Sequence, residues 1–117
     1  MGLKERTRIL SSPAQVDAFL AEHPLALIFK AGECHKTPET FARIEPVLEA
    51  ASTLPVGVIR VVDARAASDH VTALTGVRHQ SPQIFVFKDG RPVMHSSDWR
   101  VMEQVLAAAL EGRLAAV

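Results

Sequence analysis

The sequence predicts one α/β domain, built as a central mixed four-stranded sheet with helices on both faces. Three observations lead to that class. Two short apolar runs, Leu25-Ala26-Leu27-Ile28-Phe29 and Val58-Ile59-Arg60-Val61-Val62, read as strands buried on both faces, and helical patterns alternate with them. A third run, Ile84-Phe85-Val86-Phe87, is followed at once by Asp89-Gly90, a strong hairpin signal that returns the chain into an adjacent strand. The 117 residues, 48% hydrophobic and 22% charged without a shift in composition, fit a single unit over 1–117.

Each element has its own signals. Ser12-Pro13-Ala14-Gln15 reads as a capping box with proline at the first helical position, and Val16, Phe19 and Leu20 mark the inner face of the helix. That helix stops before His23-Pro24. After the first strand, a loop over 30–36 precedes a second helix that runs to about residue 51. Phe41, Ile44 and Leu48 face inward, and Pro46 is expected to kink or divide it. Its start has two readings. Thr37-Pro38 supplies a cap and a first-turn proline, or Cys34 already lies in the first turn.

A third helix is expected over about 66–75, with Val71 and Leu74 inward and Gly76 as a left-handed terminator. Val93-Met94-His95 follows the hairpin as an edge strand that tolerates Pro92. Ser97 or Asp98 then caps a last helix carrying Val101, Met102, Val105, Leu106 and Leu110. The order αβαβαββα matches a thioredoxin-like arrangement.

Composition excludes several classes. Thirteen Lys and Arg balance thirteen Asp and Glu, so no general attraction draws the chain to nucleic acid or anionic membrane. No run approaches the ~20 apolar residues that span a bilayer, and the charged first residues lead into no apolar segment of a secretory signal. Cys34 is the only cysteine, so any disulfide it forms is with another molecule, and a cytoplasmic location is expected. His35, His79 and His95 show no metal-ligand spacing with Cys34, so no metal is expected. The carboxylates form no catalytic pair, and the glycines form no phosphate loop.

The chemistry should therefore lie at Cys34, which follows a buried strand at or just before a helix start. Backbone N–H groups and the helix dipole at such a place can lower a thiol pKa from ~8.5 into the range ~3.5–7.5. His35, Lys36 and Lys30 add positive charge, while Glu33 opposes them. Thr37 stands where a two-cysteine oxidoreductase carries its resolving thiol. A hydroxyl there cannot attack a mixed disulfide; it can hydrogen-bond the thiolate, cap the helix, or do both.

In a thioredoxin-like fold Ser81-Pro82 comes opposite Cys34. A cis proline there would offer the backbone of Ser81 to an extended substrate. Arg78 and His79 are candidates to bind carboxylates of a small thiol, with solvated loop charge as the plainer reading. Ser97 and Asp98 at a helix start are candidates for anion binding, and Trp99 for an apolar wall; ordinary capping and a core tryptophan are the alternatives.

Three stretches resemble the monothiol bacilliredoxin family (YtxJ-like, bacillithiol system proteins). They are Thr75-Gly76-Val77-Arg78-His79-Gln80-Ser81-Pro82-Gln83, Lys88-Asp89-Gly90-Arg91-Pro92-Val93 and His95-Ser96-Ser97-Asp98-Trp99. Ile28-Phe29-Lys30 and Val61-Val62-Asp63 share the likeness, which runs from about 12 to 110. Where family members carry Thr-Cys-Pro-x-Ser, this chain has Glu33-Cys34-His35-Lys36-Thr37.

The resemblance implies a thioredoxin fold, a reactive Cys34, a cis Pro82 and removal of bacillithiol from protein mixed disulfides. It implies no bound cofactor, bacillithiol or a similar low-molecular-weight thiol as co-substrate, and S-thiolated proteins and a separate reductase as partners. The expected function is that of a monothiol thiol–disulfide oxidoreductase. The alternative is a non-catalytic thioredoxin-like module that holds a partner peptide in the groove around Pro82.

Overall fold

The computed structural model describes residues 2–33 and 36–110. Along the chain come β1 (Thr7–Ile9), α1 (Pro13–Glu22), β2 (Leu25–Ala31), α2 (Lys36–Ala50), β3 (Val56–Arg60), α3 (Arg65–Thr75), β4 (Gln83–Lys88), β5 (Arg91–Ser96) and α4 (Met102–Leu110). The strands form one sheet in the order β1-β3-β2-β4-β5. β1 and β2 run parallel to β3, whereas β4 runs antiparallel to both β2 and β5.

The sheet thus has five strands where four were expected. The addition is β1, only three residues long with no buried side chain, so hydrophobic patterning gives no sign of it. Backbone pairing to Val56, Gly57 and Val58 holds it at the edge. Arg6 fastens its start by donating to the carbonyls of Leu54 and Leu48, both at 2.6 Å.

Alternation along β2 and β4 divides the core into two layers. Ala26, Ile28, Phe85 and Phe87 face α1 and α3, meeting Val16, Phe19, Leu20, Ala67 and Val71. Leu27, Phe29, Ile84 and Val86 face α2 and α4, meeting Ile44, Leu48, Met102 and Leu106. Both faces of the central strands are covered, which is why β2 and β4 read as unbroken apolar runs.

Local signals account for most boundaries. The Ser12 hydroxyl accepts from the Gln15 N–H at 3.2 Å, and Pro13 opens α1. α3 ends on Gly76 at φ 69, with the Gly76 N–H donating to the Thr72 carbonyl. Asp89 and Gly90 both take positive φ, 52 and 80, the pair of left-handed residues that a tight two-residue hairpin demands. β5 is an edge strand and holds Pro92 beside a register irregularity between Val86 and Phe87.

Four expectations need correction. β3 ends at Arg60 and not at Val62, because the chain turns over 61–63 with the Asp63 N–H on the Arg60 carbonyl; Val62 is exposed. Leu74 is 45% exposed, since α3 turns Ala67, Ser68 and Val71 inward. α4 starts at Met102, later than Ser97 or Asp98 would cap it, and Val101 and Val105 are exposed. Of the two effects expected of Pro46, a kink or a division, the division does not occur, since α2 is continuous through it.

A proline at that depth in a helix removes one backbone hydrogen bond and crowds the preceding turn. Pro46 is exposed, so an alanine there loses no burial. We expect Pro46→Ala to stabilise the protein by about 1–3 kcal/mol, read as a raised midpoint of chemical denaturation with an unchanged slope.

Candidate functional site

The candidate nucleophile Cys34 and its neighbour His35 lie outside the described residues, and the residues flanking them in the chain are described. At the end of β2, the Gly32 N–H donates to the Thr37 hydroxyl at 3.2 Å, tying the strand end to the first turn of α2. Thr37 is buried. The Ser81–Pro82 peptide bond is cis, and Ser81 packs against Gly32. A Cβ on Gly32 would stand 2.5 Å from the Ser81 Oγ and 3.6 Å from the Thr37 Oγ1, so only glycine admits this approach. Gly32, Thr37 and Ser81 therefore converge, with buried Pro82 next to them.

A second group lies on the α2 side. Lys36 opens α2 and sets its Nζ 3.8 Å from the centroid of the Trp99 ring, while the Arg43 guanidinium approaches the same ring at 5.5 Å. Trp99 is half-buried and presents its π face to two cations, a favourable electrostatic contact. Asp98 is engaged by Arg100, whose backbone N–H and guanidinium both donate to its carboxylate. Those bonds hold the Asp98 carboxyl below the usual carboxylate range. The Val101 N–H donates to the Asp98 carbonyl, closing a turn ahead of α4. The helix N-terminus expected at Ser97 and Asp98 thus lies at Met102.

A third group occupies the α3 side. Lys30 is fully buried, and its ammonium donates to the Thr72 hydroxyl at 3.0 Å and to His79 Nδ1 at 3.3 Å. It also lies 5.8 Å above the Phe85 ring. Ser68 Oγ reaches the same His79 nitrogen at 3.3 Å. Burial pushes the Lys30 pKa down to about 8, opposed by Asp69. Burial also lowers that of His79, assisted by the charges of Lys30 and Arg65 and opposed by Asp69.

Beside Lys30, the buried amide of Gln83 donates to the Arg78 carbonyl at 3.0 Å and accepts from the Gln80 N–H at 3.4 Å. Arg78 itself is exposed. Sequence reasoning missed Ser68, Thr72 and Gln83. The one available sign was that Ser68 and Thr72 lie a helical turn apart, on a face read only for its apolar letters.

A concavity of about 610 Å³ near β1, lined by Arg6, Thr7, Phe19, His23 and Pro55 among others, includes none of these residues. Among the described residues, no helix is long and apolar enough to cross a membrane.

Comparison with known proteins gives a concordant picture. The family model described as monothiol bacilliredoxin BrxC matches residues 8–106. Among solved structures, a protein provisionally assigned as an oxidoreductase with a thioredoxin fold superposes with a TM-score of 0.78 at 24% identity, covering 91% of this chain and 96% of its own. Mitochondrial thioredoxin 3 from Saccharomyces cerevisiae gives a TM-score of 0.71 at 10% identity, covering 99% of this chain and 100% of its own. The thioredoxin of Malassezia sympodialis gives 0.68 at 15% identity, over 87% and 89% of the two chains. The fold is that of thioredoxin.

The buried ammonium has a pH signature. Between a folded pKa of about 8 and the ordinary 10.5, the unfolded chain carries the proton that the folded chain has shed. Stability therefore rises with pH across that window, and below it both states are charged and the full burial cost is present. We expect Lys30→Met to remove this rise, of order 1 kcal/mol from pH 8 to 9, in denaturation midpoints compared with the parent protein.

Proposed function

The chain belongs to the monothiol bacilliredoxin family, and on that premise we propose that it is a monothiol thiol–disulfide oxidoreductase that reduces protein mixed disulfides through Cys34. The observation that carries the reading is the convergence of Gly32, Thr37 and Ser81. These residues flank Cys34 on both sides in the chain and precede Pro82, so the segment holding the only thiol meets the segment suited to an extended substrate.

In the proposed reaction the Cys34 thiolate attacks the small-thiol sulfur of a protein mixed disulfide. One S–S bond forms, one breaks, and the client leaves as a thiolate that takes up a proton from water. Cys34 then carries the small thiol. A second thiolate of the same small thiol attacks that sulfur, regenerates Cys34 and leaves as the symmetrical disulfide, which a separate reductase returns to the thiol. Thr37 offers a hydroxyl in place of a second thiol, so release is intermolecular.

Bacillithiol is the small thiol we assign, on family membership. Lys36 and Arg78 supply positive charge for its anionic groups, and the Trp99 face supplies an apolar wall under Lys36. A cytoplasmic location follows from the same reading, since the reaction needs a reducing thiol pool.

Cys34→Ser should abolish reduction of a bacillithiolated reporter peptide while circular dichroism stays unchanged. Undiminished turnover by that variant would overturn the mechanism. Capture of a partner peptide that survives Cys34→Ala, without any bacillithiol adduct on the parent protein, would favour a binding module instead. Gly32→Ala should lower kcat/KM about tenfold or more, because the added Cβ displaces Ser81 and a small misplacement at a reacting centre is costly.

A further inference from the structure

Lys30 and Gln83 are direct cross-strand partners at one end of the β2–β4 ladder, on the face turned toward α3. Both are buried polar side chains, and both reach the same segment. Gln83 holds the Arg78 carbonyl and the Gln80 N–H, while Lys30 holds the His79 ring. Three successive residues are thus gripped from inside the fold, immediately before Ser81 and Pro82.

The grip specifies a proton. His79 Nδ1 faces a charged ammonium, which can only donate, so it acts as an acceptor, and the Ser68 hydroxyl lies at 3.3 Å from the same lone pair. A neutral imidazole with Nδ1 as acceptor carries its proton on Nε2. Protonating Nδ1 would set two cations against each other and take from Lys30 and Ser68 the acceptor they share. Among the described residues, the charged groups facing this ring are Lys30 from β2 and Asp69 and Arg65 from α3.

We infer that Lys30 and Gln83 are positioning residues that fix loop 78–81 for substrate, and that the Lys30 half of this hold is released when His79 takes up a proton. The inference rests on the reading of that loop as substrate-facing. The hold of Lys30 on His79 is complete above the ordinary histidine pKa of about 6.5 and is lost as pH falls through the lower folded value, which leaves the two Gln83 bonds alone on the loop. Loss of affinity on acidification thereby arises away from the thiol.

The test combines spectroscopy on the intact protein with kinetics. Long-range ¹H–¹⁵N correlation should show His79 neutral with the proton on Nε2 at pH 7.5. On acidification, the amide resonances of residues 78, 79, 80 and 81 should move together with the His79 side-chain midpoint, below about 6.5. In His79→Gln that concerted movement should vanish. Gln83→Met, which removes both hydrogen bonds to the loop, should raise KM for the bacillithiolated peptide roughly fivefold or more, with kcat and the rate of Cys34 alkylation little changed.

A proton on Nδ1 at neutral pH, or amide shifts that do not track His79, would overturn the inference without touching the role of Cys34. Should the parent protein fail to reduce the peptide, the exchange reading fails; the resonance measurements, which need no turnover, would still decide whether the grip exists. A KM left unchanged in Gln83→Met would also overturn the positioning role.

Discussion

The antiparallel register of β2 on β4 is the constraint on which the rest of the site depends. It sets Lys30 opposite Gln83 and Phe29 opposite Ile84, and so brings the segment before β4 alongside the end of β2. Both faces of these strands are buried, so hydrophobic pattern alone specifies their register weakly. The polar pair sharpens it. A slip of one residue would turn the Lys30 ammonium away from Thr72 and His79 into the layer formed by Leu27, Phe29, Ile84 and Val86. The same side chains that brace the loop therefore exclude the wrong pairing.

The cost of that arrangement is a buried cation held by neutral groups. Among the described residues Lys30 has two hydrogen-bonding partners, Thr72 and His79, and the face of Phe85, and the charge of Asp69 favours its protonated form. Dipoles and a ring face solvate an ammonium less well than water does, which is why its proton is held loosely. Ser68 and Thr72 complete the shell, since the Thr72 hydroxyl that accepts from Lys30 donates in turn to the Ser68 carbonyl at 3.4 Å. The composition of α3 follows. Its inner face carries hydroxyls where an ordinary amphipathic helix would carry leucines.

That substitution explains how far the sequence could be read. Elements with strong local chemistry were legible: the Ser12 cap, Gly76 as terminator, the Asp89-Gly90 turn and the apolar runs of β2 and β4 all correspond to observed structure. Leu74 was misplaced because periodicity was sought among apolar letters, whereas the buried stripe of α3 includes Ser68. β1 is invisible to patterning because its three residues, none of them buried, are held by backbone bonds, which sequence patterning does not record. The start of α4 was set too early because Asp98 closes a turn with Arg100, and the side chains favoured in such a turn are those favoured at a helix cap. At the site, Ser81, Pro82, Thr37, Lys36 and Trp99 could be named from spacing and fold. Gln83 could not, since its importance comes from the loop it reaches and not from any motif.

A site with one thiol has to remain open to a second thiol after the first exchange, and this places a requirement on its surroundings. Here the bracing comes from beneath, through Gln83 and Lys30 on the sheet, while Ser81 and Thr37 are small and Gly32 has no side chain at all. The bulkier groups, Lys36 and Trp99, stack on one another toward α2. Buried polar groups that are expensive to the fold are thereby concentrated where they hold the loop, and small residues gather where Gly32, Thr37 and Ser81 converge. In the proposed reaction, the absence of a resolving cysteine and the presence of an internal brace are two parts of one solution. The first makes external access necessary, and the second keeps the loop ordered without closing that access.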